Sequence, residues 1–105
     1  MIPRTQAVQL IQDALNSLRR VGLIEQDVIA KDEIVLLGAG SPLDSMAFVT
    51  FIADLEDRLG RETGQELYMV LKEIHAFNSS NSVLTAGVLA NFLVELAGRQ
   101  PANGS

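Results

Sequence analysis

One serine stands out by its setting. Ser45 lies within Leu43-Asp44-Ser45-Met46, directly after the breaker-rich run Gly38-Ala39-Gly40-Ser41-Pro42 and at the head of a long stretch with helical apolar spacing. The first N–H groups of a helix lack intrahelical acceptors, and the aligned peptide dipoles make that end positive. A hydroxyl held there suits a phosphate ester, which such an end stabilises by about 0.3–1 kcal/mol at an exposed site. Asp44 has two readings: it caps the helix, or it helps orient a magnesium ion held by an incoming phosphate donor. Local chemistry alone favours a plainer account, in which Asp44 and Ser45 only start a helix, because both residue types are favoured there.

Other residues offer less. Gly38-Ala39-Gly40 has two glycines of a dinucleotide fingerprint, but the third is missing and no parallel-sheet pattern surrounds it. The lysine of a phosphate-binding loop is also missing. His75 is the single histidine, and with Glu73 it sits on an ordinary charged stretch with no nucleophile beside it. Glu56-Asp57 reads as a solvated acidic face. There is no cysteine, which excludes disulfides, thiolate catalysis and cysteine-ligated zinc. No metal site is expected, and the chain does not read as an enzyme.

The elements that must position Ser45 follow from periodicity. Residues from about Thr5 to Val21 predict an amphipathic helix, with Val8, Ile11, Leu15, Leu18 and Val21 as its stripe, Leu10 and Ala14 widening it, and Gly22 as its stop. Residues 23–44 predict a long connection pinned by Ile24, Val28, Ile29, Ile34, Leu36 and Leu37. A short strand at Ile34–Leu37 is favoured by propensity but has no evident partner. The second helix runs from about Asp44 to Leu59, with a core stripe of Val49, Ile52, Leu55 and Leu59 flanked by Phe48 and Phe51, and Gly60 ends it. Thr63-Gly64-Gln65-Glu66 has capping-box spacing, so a third helix is expected to about Ala76, with Leu67, Val70, Leu71 and Ile74 on its apolar face. Tyr68, Met69 and Phe77 extend the core or line an acyl pocket, core being the plainer reading. Asn78-Ser79-Ser80-Asn81-Ser82 is a loop, and Thr85 caps a fourth helix burying Leu89, Phe92, Leu93 and Leu96 up to Gly98. The expected fold is all-α: a four-helix bundle with a long loop between helices one and two.

At 105 residues and 48% hydrophobic content the chain suits one domain, taken as 1–98, with 99–105 as a disordered tail. Thirteen acidic against eight basic side chains give a formal charge of -5, the wrong sign for a nucleic-acid face. No signal-peptide run or membrane span is apparent, which makes a cytoplasmic protein that engages no membrane the expectation.

The segment LLGAGSPLDSMAFVTFIADLEDRLG resembles the second-helix region of acyl carrier proteins and related peptidyl or D-alanyl carriers. That pattern is Asp-Ser-Leu at a helix start, apolar positions, a Leu-Glu pair, then an aromatic or Leu before Gly. It reads here as Asp44-Ser45-Met46, then Val49, Phe51 and Ile52, then Leu55-Glu56, then Leu59-Gly60. Thr85-Ala86-Gly87-Val88-Leu89 is similar to the Thr-x-Gly-x-Leu opening of the family's last helix, and the likeness covers about residues 5–97. The resemblance implies a fold of acyl-carrier type and covalent attachment of 4′-phosphopantetheine to Ser45, with Asp44 in support. A phosphopantetheinyl transferase performs that attachment with coenzyme A and magnesium. The arm's thiol, the only one present, then carries acyl or aminoacyl groups as thioesters to loading and transfer enzymes. By the same analogy Met46, Val49, Ala53 and Glu56 contact partners, and the carrier is a monomer.

Three departures matter. Met46 stands where Leu is usual, and Ala47 and Thr50 stand where carriers of primary fatty-acid synthesis place acids, so the acids shift to Asp54, Glu56 and Asp57. The face near Ser45 is therefore more apolar than the family's, which fits a specialised pathway with dedicated partners or simple drift. The segment between Gly60 and Thr85 is also longer than usual. The alternative function is a helical interaction module without a prosthetic group, its second helix bound to one partner helix.

Overall fold

The computed structural model describes residues 2–38, 40–64 and 83–98. In order these form helix α1 (Arg4–Val21), strand β1 (Val35–Leu37), helix α2 (Ser45–Thr63), strand β2 (Leu84–Thr85) and helix α3 (Ala86–Gly98). The protein is mainly helical. Among the described residues there are three helices and a two-stranded sheet rather than a four-helix bundle. The helix expected to about Ala76 lies from Gln65 onward outside the described residues, as do Tyr68, Met69, Glu73, His75, Phe77, the loop 78–82 and the tail 99–105.

Helix α1 buries Ala7, Leu10, Ile11, Ala14, Leu15 and Leu18, a stripe set by their three- and four-residue spacing. Val21, expected to extend that stripe, is 68% exposed, because the helix unwinds at the next residue. Gly22 takes φ 85, its N–H donates to the Arg19 carbonyl, and the Leu23 N–H donates back to Leu18, the paired bonds of a Schellman stop.

Helix α1 packs against both α2 and α3, which meet each other more sparingly. Between α1 and β1 the chain runs irregularly, through bends at 23–26 and a turn at 32–33, burying Ile24 and Ala30 and half-burying Val28 and Ile34. Ile29, also expected to pin this stretch, is 58% exposed, and Leu37 points largely outward. A polar side chain does part of the pinning. The Gln12 amide donates to the Val28 carbonyl and accepts from the Ala30 N–H, both at 2.8 Å. It satisfies two backbone groups that no strand pairs.

The strand at Ile34–Leu37 does have a partner. β1 runs antiparallel to β2, with Val35 opposite Thr85 and Leu37 opposite Leu84 across an irregular register. The partner is only two residues long and 50 positions away, too short to announce itself by alternation. The ladder continues into α3, where the Ala86 N–H donates to Ile34 O at 2.8 Å and the Gly87 N–H to Asp32 O at 3.0 Å. Thr85 caps α3 as expected, accepting from the Val88 N–H. A Cβ on Gly87 would lie 3.0 Å from both the Cβ and the carbonyl oxygen of Asp32, so this crossing is set by backbone contact. Gly87→Ala should cost about 1–3 kcal/mol, the usual range for overpacking, read as a lower urea midpoint at unchanged slope.

Arg4 closes the same corner. Its guanidinium donates to Asn91 Oδ1 at 2.9 Å, to Asp32 Oδ1 at 3.1 Å and to Gly87 O at 3.3 Å, joining the start of α1, the connecting segment and α3.

Candidate functional site

The site is the start of α2 and the loop that feeds it. Gly38 and Gly40 adopt φ 110 and φ 90, backbone states that side chains with a Cβ rarely enter. They reverse the chain out of β1. Ser41 then fastens the turn: its hydroxyl donates to Leu36 O at 2.7 Å and accepts from the Leu43 N–H at 3.0 Å. Leu36 and Leu43 are both buried, so this one hydroxyl fixes the helix entry to the strand beneath it.

Asp44 is the N-cap. It has extended backbone angles, its Oδ1 accepts from the Ala47 N–H at 2.7 Å, and its carbonyl accepts from the Phe48 N–H at 2.9 Å. Of its two sequence readings, capping is the one this geometry displays. Asp44→Ala should remove about 1 kcal/mol of stability, while Asp44→Asn, an equally good cap, should leave it nearly unchanged. Thermal or urea unfolding of both variants checks this contrast.

Ser45 is the first residue of α2 and is exposed. No hydrogen bond occupies its hydroxyl among the described residues. The Ala47 N–H is taken by the cap, whereas those of Ser45 and Met46 have no intrahelical acceptor. A phosphate ester on Ser45 thus has a hydroxyl to form from, solvent access and two unpaired donors at the positive end of a 19-residue helix. In those respects the residues present fit a phosphate-linked group.

The four residues expected to meet partners share this region. Met46 is 69% exposed, Val49 is 56% exposed, Ala53 is exposed and Glu56 is half-buried. Their spacing of three, four and three residues places them on one side of α2. Val49 was also expected in the core stripe, and that is corrected: the buried residues are Ala47, Phe48, Phe51, Ile52, Leu55 and Leu59. The buried face is rotated toward Phe48 and Phe51, whose rings lie 6.2 Å apart and take more apolar area out of water than one valine would.

The expected acidic face is largely neutralised. Asp54 pairs with Arg58 at 2.6 Å and Asp57 with Arg61 at 2.8 Å, each at a spacing of four. Arg58 also donates to Ser17 Oγ of α1 at 2.7 Å, so that pair is a tie between helices as well as a surface bridge.

Gly60 does not end α2. The helix passes through it to Thr63, and Gly64 at φ 72 supplies the left-handed stop. Thr63 is likewise not an N-cap; it lies in the last turn of α2 and its hydroxyl donates to Leu59 O at 2.9 Å. A glycine inside a helix costs about 1 kcal/mol relative to alanine. Burial of Leu59 and the Asp57–Arg61 pair across that turn offset it. Two contributors escaped the sequence reading. In sequence Ser41 is only one member of the breaker-rich run 38–42, and Gln12 is one polar residue among several on α1. Ser41 directly before Pro42 was the available signal for the first, and nothing local marked the second.

No helix among the described residues is long and apolar enough to cross a membrane. Compared with protein-family models, with curated proteins and with solved structures, the chain matches none.

Proposed function

We propose that this protein is a phosphopantetheine-dependent carrier, with Ser45 the attachment residue and partner enzymes engaging the start of α2. One observation carries the reading: an exposed serine hydroxyl, free of hydrogen bonds among the described residues, at the first position of a capped helix. The resemblance of residues 5–97 to acyl, peptidyl and D-alanyl carriers supports it. In the transfer, the Ser45 hydroxyl oxygen forms a bond to phosphorus as a phosphoanhydride bond of coenzyme A breaks. The nucleotide half leaves, and the hydroxyl proton passes to the transferase. The attached arm supplies a thiol on which acyl or aminoacyl cargo travels as a thioester. The chain's own residues present and orient: Ser41 fixes the loop, Asp44 caps the helix, and Met46, Val49, Ala53 and Glu56 offer a face to partners. The reading includes a cytoplasmic monomer that is not itself an enzyme, binds neither nucleic acid nor membrane and serves a specialised pathway.

The exposed pair Met46 and Val49 equally favours one other reading, a helix-docking module with no prosthetic group. Intact mass separates the two. After incubation with coenzyme A, magnesium and a broad-specificity phosphopantetheinyl transferase, a carrier gains the mass of one phosphopantetheine. An unmodified mass with several active transferases sinks the carrier reading.

A further inference from the structure

A second feature lies just upstream of Ser45. An open cleft of about 370 Å³ is walled by Val28, Ile29, Ile34 and Val35 on the connecting segment and β1, and by Gly40 and Pro42 on the loop. Its polar lining comes from Gln26, Asp27 and Lys31. The volume lies in the range of small-molecule sites, and the lining has the usual character of such sites, mostly apolar with a few polar groups. Its walls are held in place. Gln12 bonds Val28 and Ala30, the Ile34 N–H donates to Lys31 O at 3.0 Å, and β2 pairs with Val35. Lys31 is exposed and makes no ion pair among the described residues.

Resting on the carrier reading, we infer that this cleft is the resting site of the phosphopantetheine arm on Ser45, so that the arm lies back over the connecting segment and away from the Met46–Val49 face. The tether decides the occupant. Pro42 lines the cleft and is three residues from Ser45, a separation of at most about 10 Å at roughly 3.3–3.6 Å per residue. A pantetheine arm has thirteen bonds from phosphorus to sulfur. At backbone-like dimensions it extends about 15 Å, so it spans that gap and still reaches past it. Attachment turns a weak contact into an intramolecular one at millimolar effective concentration, which an open cleft of this kind needs. The chemistry also matches. The arm's dimethyl carbon suits Val28, Ile29 and Ile34, while its two amides meet Gln26 and Lys31.

The test compares apo and holo protein, mass-verified, by amide ¹⁵N–¹H spectra. Residues 26–35 lie ten or more positions before Ser45, so the new ester reaches them only through space, and Ile29→Glu separates cleft occupancy from that general effect. The expected result is a shift of the Val28, Ile29, Lys31 and Ile34 amides on arm attachment that exceeds any shift in α3. Ile29→Glu should be modified to the same mass yet lose those shifts, and because Ile29 is 58% exposed the change spares the core. Full modification with shifts confined to residues near Ser45, or shifts that persist unchanged in Ile29→Glu, overturns the cleft assignment and leaves the carrier reading intact. Absence of any mass gain removes both.

Discussion

Ser45→Ala is expected to abolish the mass gain completely, while the fold is unchanged. On the carrier reading the effect is all-or-none, because the substitution deletes the oxygen that would bond to phosphorus. Ser45 is exposed and its hydroxyl makes no hydrogen bond among the described residues, so the variant should unfold within about 0.5 kcal/mol of the parent, as surface changes do. Ser41→Ala is the informative companion. It keeps Ser45 but leaves the buried Leu36 carbonyl and the Leu43 N–H without their partner. That loss should cost about 1–3 kcal/mol, with modification slowed and not abolished. Equal mass gain in Ser45→Ala and the parent would place the attachment elsewhere. A simple loss of folding would instead show in circular dichroism.

The second large effect belongs to the ring that holds α2 in place. Phe51 is fully buried and sits beside Phe48 at the centre of the helix's inner face. Phe51→Ala should cost about 3–5 kcal/mol, combining lost transfer energy with the cavity left behind. That is a large fraction of the 5–15 kcal/mol typical of a whole domain. Val49→Ala, two residues away and 56% exposed, should cost about 0.5 kcal/mol or less. Urea denaturation of the pair checks the rotation of the helix directly, because a core stripe through Val49 would make the two costs comparable.

What the sequence revealed and what it hid divide along one line. The start of α2, the stop at Gly22 and the cap at Thr85 were legible because each is a local bargain between a side chain and its nearest backbone groups. Asp44 caps Ala47 three residues on, and Thr85 caps Val88 three residues on. The errors arose where distant residues decide. Gly60 resembles a stop until Leu59 and Arg61 are seen to be held by their neighbours, and the stop passes to Gly64. Val49 and Phe48 satisfy helical spacing almost equally well, and only the way α2 docks on the rest of the fold buries the aromatic and leaves the valine out. The strand at Val35–Leu37 showed its propensity but not its partner. Gln12 showed nothing, since an amide that serves one backbone carbonyl and one backbone N–H of a distant segment looks in sequence like any other polar residue on a helix. At the site the capped helix start that bears Ser45 was legible, whereas the Ser41 fastening and the cleft beside it were not, because both depend on the path of residues 26–42.

The β1–β2 pair has a consequence for the order in which the site can exist. Ser41 is fastened to Leu36, Leu36 lies in β1, and β1 is paired by residues some 50 positions later in the chain. Arg4 likewise waits for Asn91. Contacts of such long sequence separation close late, after local helices have formed, because the intervening loop must first lose its freedom. A chain synthesised only as far as Gly64 already contains Ser45, its cap and all of α2, yet lacks the partner of β1. The serine is made early, but the frame around it is finished only when residues 84–91 have been made, so its setting reports how far the chain has folded.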